Sequence, residues 1–168
     1  MYTYEEEKIF QNAIVFASGA MSSCHNRKPV LLHSLRVAFL LYKMNYAIDL
    51  VIAAVLHDLI EDTRIIIANI QAEFGEHVGH LVDLLTMNEN IENYTEQYIA
   101  NFQKAGLSKE ALIIRCADIL DNMQYIKRLP PEKQELVKNK HIYFYQNFQE
   151  TLKNEPIWVK FKAVIYDC

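Results

Sequence analysis

At 168 residues, with 51% hydrophobic and 11% aromatic residues but only 4 Gly and 4 Pro, the chain has the size and material for one buried core, which argues against disorder. Its net charge of −4, with no Lys/Arg run longer than a pair, excludes a protein that lives on a nucleic-acid duplex but leaves room for a small polyanion held by a local cation cluster or a metal. Cys24, Cys116 and Cys168 are scattered with no CxxC pair, so neither a disulfide framework nor a thiolate zinc site is expected. The N-terminus MYTYEEEKIF is acidic where a signal peptide would be basic, and no apolar run approaches the roughly 20 residues of a membrane span. The expectation is a cytoplasmic protein of one domain over residues 1–168, with no membrane partner and no room for a second catalytic domain.

Apolar residues recur at helical spacing almost throughout, and no alternating stretch bounded by turn residues reads as a strand, so the fold class is all-α. The pattern predicts helices over 5–20, 30–45, 48–61, 64–73, 75–87, 93–104, 108–128, 132–153 and 156–165. Pro29 suits a first helical position, Gly75 a helix stop and Ser108 an N-cap, while Pro130 and Pro131 punctuate a later join. The polar, Asn-rich stretch MNENIENYTEQ (87–97) reads as a loop beside any site.

Chemistry concentrates in VIAAVLHDLIEDT (51–63), an apolar helical run ending abruptly in His57, Asp58, Glu61 and Asp62. On a helix, His57 pairs in position with Glu61, and Asp58 with both Glu61 and Asp62, which a packing role does not explain. His57 and Asp58 themselves diverge by about 100° on a continuous helix, so both reach one ion only if it lies close against the helix and other helices complete the shell. Two further segments supply candidates. Asp118 interrupts the apolar face of ALIIRCADILDNM (111–123), sharing it with Arg115 and Asn122, and His33 is set into the apolar stripe of KPVLLHSLRVAFLL (28–41).

A His, then a His-Asp pair, then a distant Asp, on three separate helices, resembles the HD superfamily of phosphohydrolases, and most closely the hydrolase domain of RelA/SpoT proteins and small alarmone hydrolases. HDLIEDT is similar to their HD-x-x-ED-T box, KPVLLHSLRVA to their Pro-containing segment before the first ligand His, FGEHVGHLVDLLT (74–86) to a family stretch without catalytic groups, and ADILDNM to their second Asp box. The HD branches marked by HD-x-x-H, HD-x-GK or HD-x-GH-x-PFGH strings are not matched.

The resemblance implies a single-domain HD-type helical bundle in which His33, His57, Asp58 and Asp118 hold one divalent cation. This mixed N/O donor set suits Mn2+ first, with Fe2+ or Mg2+ as alternatives. It assigns Glu61 and Asp62 to proton transfer, and a small-molecule nucleotide as the substrate. The implied reaction is removal of pyrophosphate from the ribose 3′ position of a guanosine alarmone such as ppGpp. The competing readings are a nucleoside 5′-monophosphatase and a nucleotide-binding HD regulator without turnover.

The departures fall where substrate is held. FASGAMSSCHNRKPV replaces a longer loop; Met21 stands where the family has His, Val30 where it has Tyr, and Asp121 where the second Asp box has His. Arg27 and Lys28 are the candidates to supply phosphate-binding cations from the shortened loop, with Arg115 and Asn122 as further substrate-binding candidates; Arg115 serves equally well to balance Asp118. His77 and His80 are spaced for a second metal but read more simply as a solvated face, and His141, Tyr143, Phe144, Tyr145 and Phe148 read as core rather than as a platform for a base. Oligomeric state is not predicted.

Overall fold

Helices make up every regular element of the computed structural model, which describes residues 1–22 and 29–165. In chain order they are α1 (Tyr4–Met21), α2 (Val30–Lys43), α3 (Ile48–Leu56), α4 (Leu59–Asp62), α5 (Ile67–Phe74), α6 (Glu76–Leu85), α7 (Tyr94–Ala105), α8 (Lys109–Met123), α9 (Pro131–Leu152) and α10 (Pro156–Val164), with a 3-10 turn at Ile126–Arg128. The all-α expectation is met, and the chain gathers into two compact units, Met1–Thr86 and Met87–Cys168. None of these helices is long and apolar enough to cross a membrane.

In the first unit α3 is the centre, packed by α1, α2 and α6. Every residue from Leu50 to Leu56 is buried, which is why the run carries no polar face: a helix covered on all sides has no stripe to give to water. The flanking helices are fastened by local chemistry. Thr3 and Glu6 form a capping box on α1, the Thr3 amide donating to Glu6 Oε2 at 2.8 Å and the Glu6 amide to Thr3 Oγ1 at 3.2 Å. At the end of α2, Asn45 adopts a left-handed φ of 59°. The Tyr46 amide then donates to Leu41 O at 3.2 Å and the Asn45 amide to Tyr42 O at 3.0 Å, the paired bonds of a Schellman stop.

The predicted helix over 48–61 is interrupted. α3 ends at Leu56, His57 and Asp58 form a turn, and α4 is a single further turn. Asp58 sits at φ −91°, ψ −5°, between helical and extended backbone, while the His57 imidazole donates to the Ala54 carbonyl three residues back. Such a local side-chain bond competes with continuation of the helix. Pro29 lies one place before α2 rather than at its first position, its carbonyl accepting from the His33 amide at 3.0 Å.

In the second unit α8 packs against α7, α9 and α10, and Phe102, Phe144, Trp158 and Phe161 meet in an aromatic core. Ser108 caps α8 as expected, its hydroxyl accepting from the Ala111 amide. The helix predicted over 108–128 stops at Met123, and the last stretch tightens into the 3-10 turn. Of the polar run 87–97, the second half is already the first turn of α7, because the Asn93 side chain caps the Thr95 and Glu96 amides at 2.9 and 3.2 Å. Phe144 and His141 are buried, in keeping with the core reading of the α9 aromatics.

Gly75 links α5 to α6 at φ 90°, ψ 163°, backbone that side-chain-bearing residues rarely adopt. Gly75→Ala is expected to lower unfolding stability by about 1–3 kcal/mol. Gly19→Ala, on α1 where an added Cβ meets nothing within 4 Å, is expected to be neutral or to stabilise by up to about 1 kcal/mol. Urea midpoints of the two variants check the pair; equal effects would contradict the backbone argument.

Candidate metal centre

His33 and His57 arrive from α2 and from the end of α3, two helices in direct contact. Both imidazoles are buried, at 1% and 2% exposure, with ring centroids 5.4 Å apart, while Asp58 keeps a 14% exposed side chain. His57 Nδ1 lies 2.8 Å from the Ala54 carbonyl. A carbonyl can only accept, so Nδ1 carries a proton, and in the neutral ring Nε2 then presents its lone pair, the tautomer a metal-binding imidazole requires. That Nε2 is 3.1 Å from Asp58 Oδ1, and His33 Nε2 is 3.8 Å from Asp58 Oδ2.

One donor atom from each of His33, His57 and Asp58 lies within 4.8 Å of the other two. For metal–ligand distances of about 2.0–2.2 Å, octahedral neighbours stand about 3 Å apart and opposed ligands about 4.2 Å. The separations, and a donor set of two neutral nitrogens and one carboxylate, thus fit a divalent cation of intermediate character. Lone pairs converging in a buried place repel one another until a cation or proton lies between them.

Asp118 belongs to the second unit, on α8, and is itself buried at 6% exposure. Its carboxylate is gripped from its own helix: Arg115 Nη1 donates to Oδ2 at 2.7 Å and Asn122 Nδ2 to Oδ1 at 2.6 Å. Each oxygen has a second lone pair, so the grip orients the group without exhausting it as an acceptor. Arg115 is buried as well, so the structure joins it to Asp118 as the balancing cation, and Asn122, four residues on, completes the hold. Around this carboxylate, burial together with Tyr98 and Asp118 keeps the Tyr94 phenol above its ordinary value. Burial, helped by the Lys140 charge, pushes His141 down to about 4, with Asp118 pulling the other way.

Glu61 and Asp62 lie half-buried on α4, directly after the His57–Asp58 turn. Arg27 and Lys28 fall outside the described residues. His77 is exposed and pairs with Asp49 on α3 at 2.8 Å; the metal-capable group found among the described residues includes neither it nor His80. Two features escaped the sequence reading. The Ala54 carbonyl carries no signal, because every residue has one, and the closeness of His141 to Asp118 depends on how α9 packs against α8.

Comparison with known proteins places these residues in a lineage. The profile of the HD domain family matches residues 13–152. The chain belongs to the HD domain family. This HD chain is 36% identical over 110 residues to a probable GTP pyrophosphokinase of Mycobacterium leprae, covering 63% of the chain and 14% of that protein. It is 28% identical over 148 residues to a guanosine-3′,5′-bis(diphosphate) 3′-pyrophosphohydrolase of Haemophilus influenzae, covering 82% and 22%. A protein of the same description from Spiroplasma citri is 28% identical over 175 residues, covering 97% and 22%. The HD chain therefore spans less than a quarter of the length of each of these relatives.

Among solved structures, a metazoan SpoT ortholog described as hydrolysing ppGpp superposes with a TM-score of 0.79 at 19% identity, covering 99% of this chain and 97% of that one. The Listeria monocytogenes EGD-e protein lmo0812 gives 0.67 at 24%, covering 79% and 90%. These two likenesses establish a shared fold.

Removing Arg115 strands a buried carboxylate. Arg115→Ala is expected to destabilise the protein by about 3 kcal/mol, measured as the change in urea unfolding free energy, because breaking one side of a buried pair leaves an uncompensated charge. A loss below about 1 kcal/mol, the range of exposed pairs, would mean that the ion pair is not desolvated.

Proposed function

We propose that this HD chain is a divalent-metal-dependent nucleotide phosphohydrolase that removes pyrophosphate from the 3′ position of guanosine 3′,5′-bis(diphosphate), with its two units working as one catalytic domain in the cytoplasm. The carrying observation is the convergence of His33, His57 and Asp58 donors within 4.8 Å, with the His57 tautomer set by Ala54. The relatives named as 3′-pyrophosphohydrolases support the substrate, and the match of ADILDNM to the second Asp box supports Asp118 as a further ligand. Manganese is the preferred cation, because two imidazoles beside carboxylates suit it better than they suit magnesium.

When bound, the cation supplies Lewis acidity to the phosphoryl group and to the attacking water. In this reading Glu61 and Asp62, one turn after the ligand pair, accept the proton from that water as its oxygen joins phosphorus and the bond from phosphorus to the ribose 3′ oxygen breaks. The ribose oxygen recovers a proton, and GDP and pyrophosphate leave. Arg115 and Asn122 are positioning residues that hold the Asp118 carboxylate, and Arg27 and Lys28 neutralise substrate phosphate.

The deciding experiment is release of phosphate or pyrophosphate from a panel of guanosine and adenosine nucleotides, 3′- and 5′-phosphorylated, with and without manganese. Manganese-dependent pyrophosphate release from ppGpp is the expected result. Release of phosphate from 5′-monophosphates instead would make the chain a monophosphatase, and nucleotide binding without release would make it a regulator.

Metal content separates ligands from neighbours: His57→Ala and Asp118→Ala are each expected to reduce bound manganese severely, and undiminished affinity in Asp118→Ala would remove that residue from the shell. Glu61→Gln keeps volume and hydrogen-bonding reach but is a poor proton acceptor. It is expected to retain metal and to lose about 10²- to 10⁴-fold in kcat. A loss below about threefold would place the general base elsewhere.

A further inference from the structure

The threonine that closes HDLIEDT has no part in the chemistry proposed above. Thr63 follows directly on Glu61 and Asp62, where α4 ends, and is half-buried. α4 has only four residues, and it is closed where the Asp62 amide donates to Asp58 O and the Thr63 amide to Leu59 O, each at 3.0 Å. A single turn is too short to hold itself, because nucleation fixes several residues for each hydrogen bond gained. The Thr63 hydroxyl adds support on both sides of the helix end. It donates to the Leu59 carbonyl at 2.6 Å and accepts from the Ile65 amide at 3.0 Å, where the chain leaves α4 in extended form. Leu59 is fully buried and α4 packs on α1, so the hydroxyl ties the end of α4 to an anchored residue.

We infer that Thr63 is a positioning residue for the reaction, its hydroxyl fixing the α4 turn and, through it, the direction in which Glu61 and Asp62 present their carboxylates. The inference rests on the reading of those two residues as the proton acceptors of a phosphohydrolase. A carboxylate that takes a proton from water must meet it within hydrogen-bond reach, roughly 2.6–3.2 Å. On an unsupported turn both side chains would swing with every opening of α4, and a misplacement of about 1 Å costs on the order of 10²-fold in rate. His57, before the turn, is held separately by the Ala54 carbonyl, so loosening α4 is expected to spare the metal.

The competing possibility is that Thr63 only ends α4, with no bearing on the chemistry. Thr63→Val separates the two, because it keeps the branched shape suited to extended backbone at φ −135°, ψ −170° and loses both hydroxyl bonds, while Thr63→Ser keeps them. On the best substrate of the nucleotide panel, Thr63→Val is expected to lower kcat about 10- to 100-fold, with KM changed less than about threefold and bound manganese unchanged. Thr63→Ser should recover most of kcat. Thr63→Ala deletes the same hydroxyl without adding a methyl; it should match Thr63→Val, and it is the test if that variant does not fold. A readout independent of turnover is hydrogen exchange of the backbone amides at positions 62 and 63, followed by NMR. Both amides keep their carbonyl acceptors in Thr63→Val, so faster exchange there reports opening of the turn, by roughly two- to tenfold for the net worth of a lost hydrogen bond.

Unchanged kcat in Thr63→Val and Thr63→Ala would overturn the inference. So would a fall in kcat that accompanies loss of manganese, or one that Thr63→Ser does not restore. If the wild-type protein turns over no nucleotide, the hydrolase reading fails and exchange alone decides on the hold. Equal rates in wild type and Thr63→Val then overturn it, and faster rates that Thr63→Ser reverses leave it standing.

Discussion

A single hydrogen bond sets the terms for the first unit: His57 Nδ1 to the carbonyl of Ala54. It places a proton on Nδ1, so that in the neutral ring the lone pair of Nε2 faces Asp58, and α3 ends where two ionisable residues follow a run of seven buried apolar ones. Had the helix continued through residues 57 and 58, the two side chains would have diverged by about 100°. The turn instead brings His57 Nε2 and Asp58 Oδ1 to 3.1 Å, and the contact between α2 and α3 brings His33 to the same place. The apolar surroundings make this arrangement costly without a counter-charge, since buried lone pairs that face one another have no water to separate them. The affinity of the centre for a cation and the burial of α3 are therefore two aspects of one construction.

The second unit treats its carboxylate by another route. Asp118 is balanced by Arg115 and steadied by Asn122, residues three before and four after it on the same helix, so its orientation is settled within α8. The helices around it contribute electrostatics instead: a raised phenol at Tyr94 and a depressed imidazole at His141, both shifted mainly by burial.

Relatedness to much longer proteins bears on how these parts are used. The matched region is 14% of the Mycobacterium leprae relative and 22% of the Haemophilus influenzae and Spiroplasma citri ones, whereas the metazoan SpoT ortholog matches nearly end to end. The HD family match runs across residues 13–152, and the departures noted in the sequence fall between Met21 and Val30 and at Asp121. Metal chemistry demands specific atoms at specific distances and tolerates little change. Phosphate recognition demands only positive charge within reach and so tolerates more change.

The all-helical class followed from helical periodicity, and the concentration of His57, Asp58, Glu61 and Asp62 at the end of an apolar run was local and legible; His33 joined the set through the family resemblance, and the structure brings its donor to those of His57 and Asp58. Helix ends were read less well where a side chain decides them: the break at His57–Asp58 depends on a side-chain bond to a backbone carbonyl, which periodicity does not report. Arg115 stood open between phosphate and Asp118 in the sequence, and in the structure it is buried and pairs with Asp118 at 2.7 Å. Only the tertiary structure could bring Lys140 over the Tyr94 and Phe102 rings or His33 to Asp58, because those encounters are made by the packing of α9 on α7 and of α2 on α3, between residues whose separation along the chain carries no trace of their distance in space.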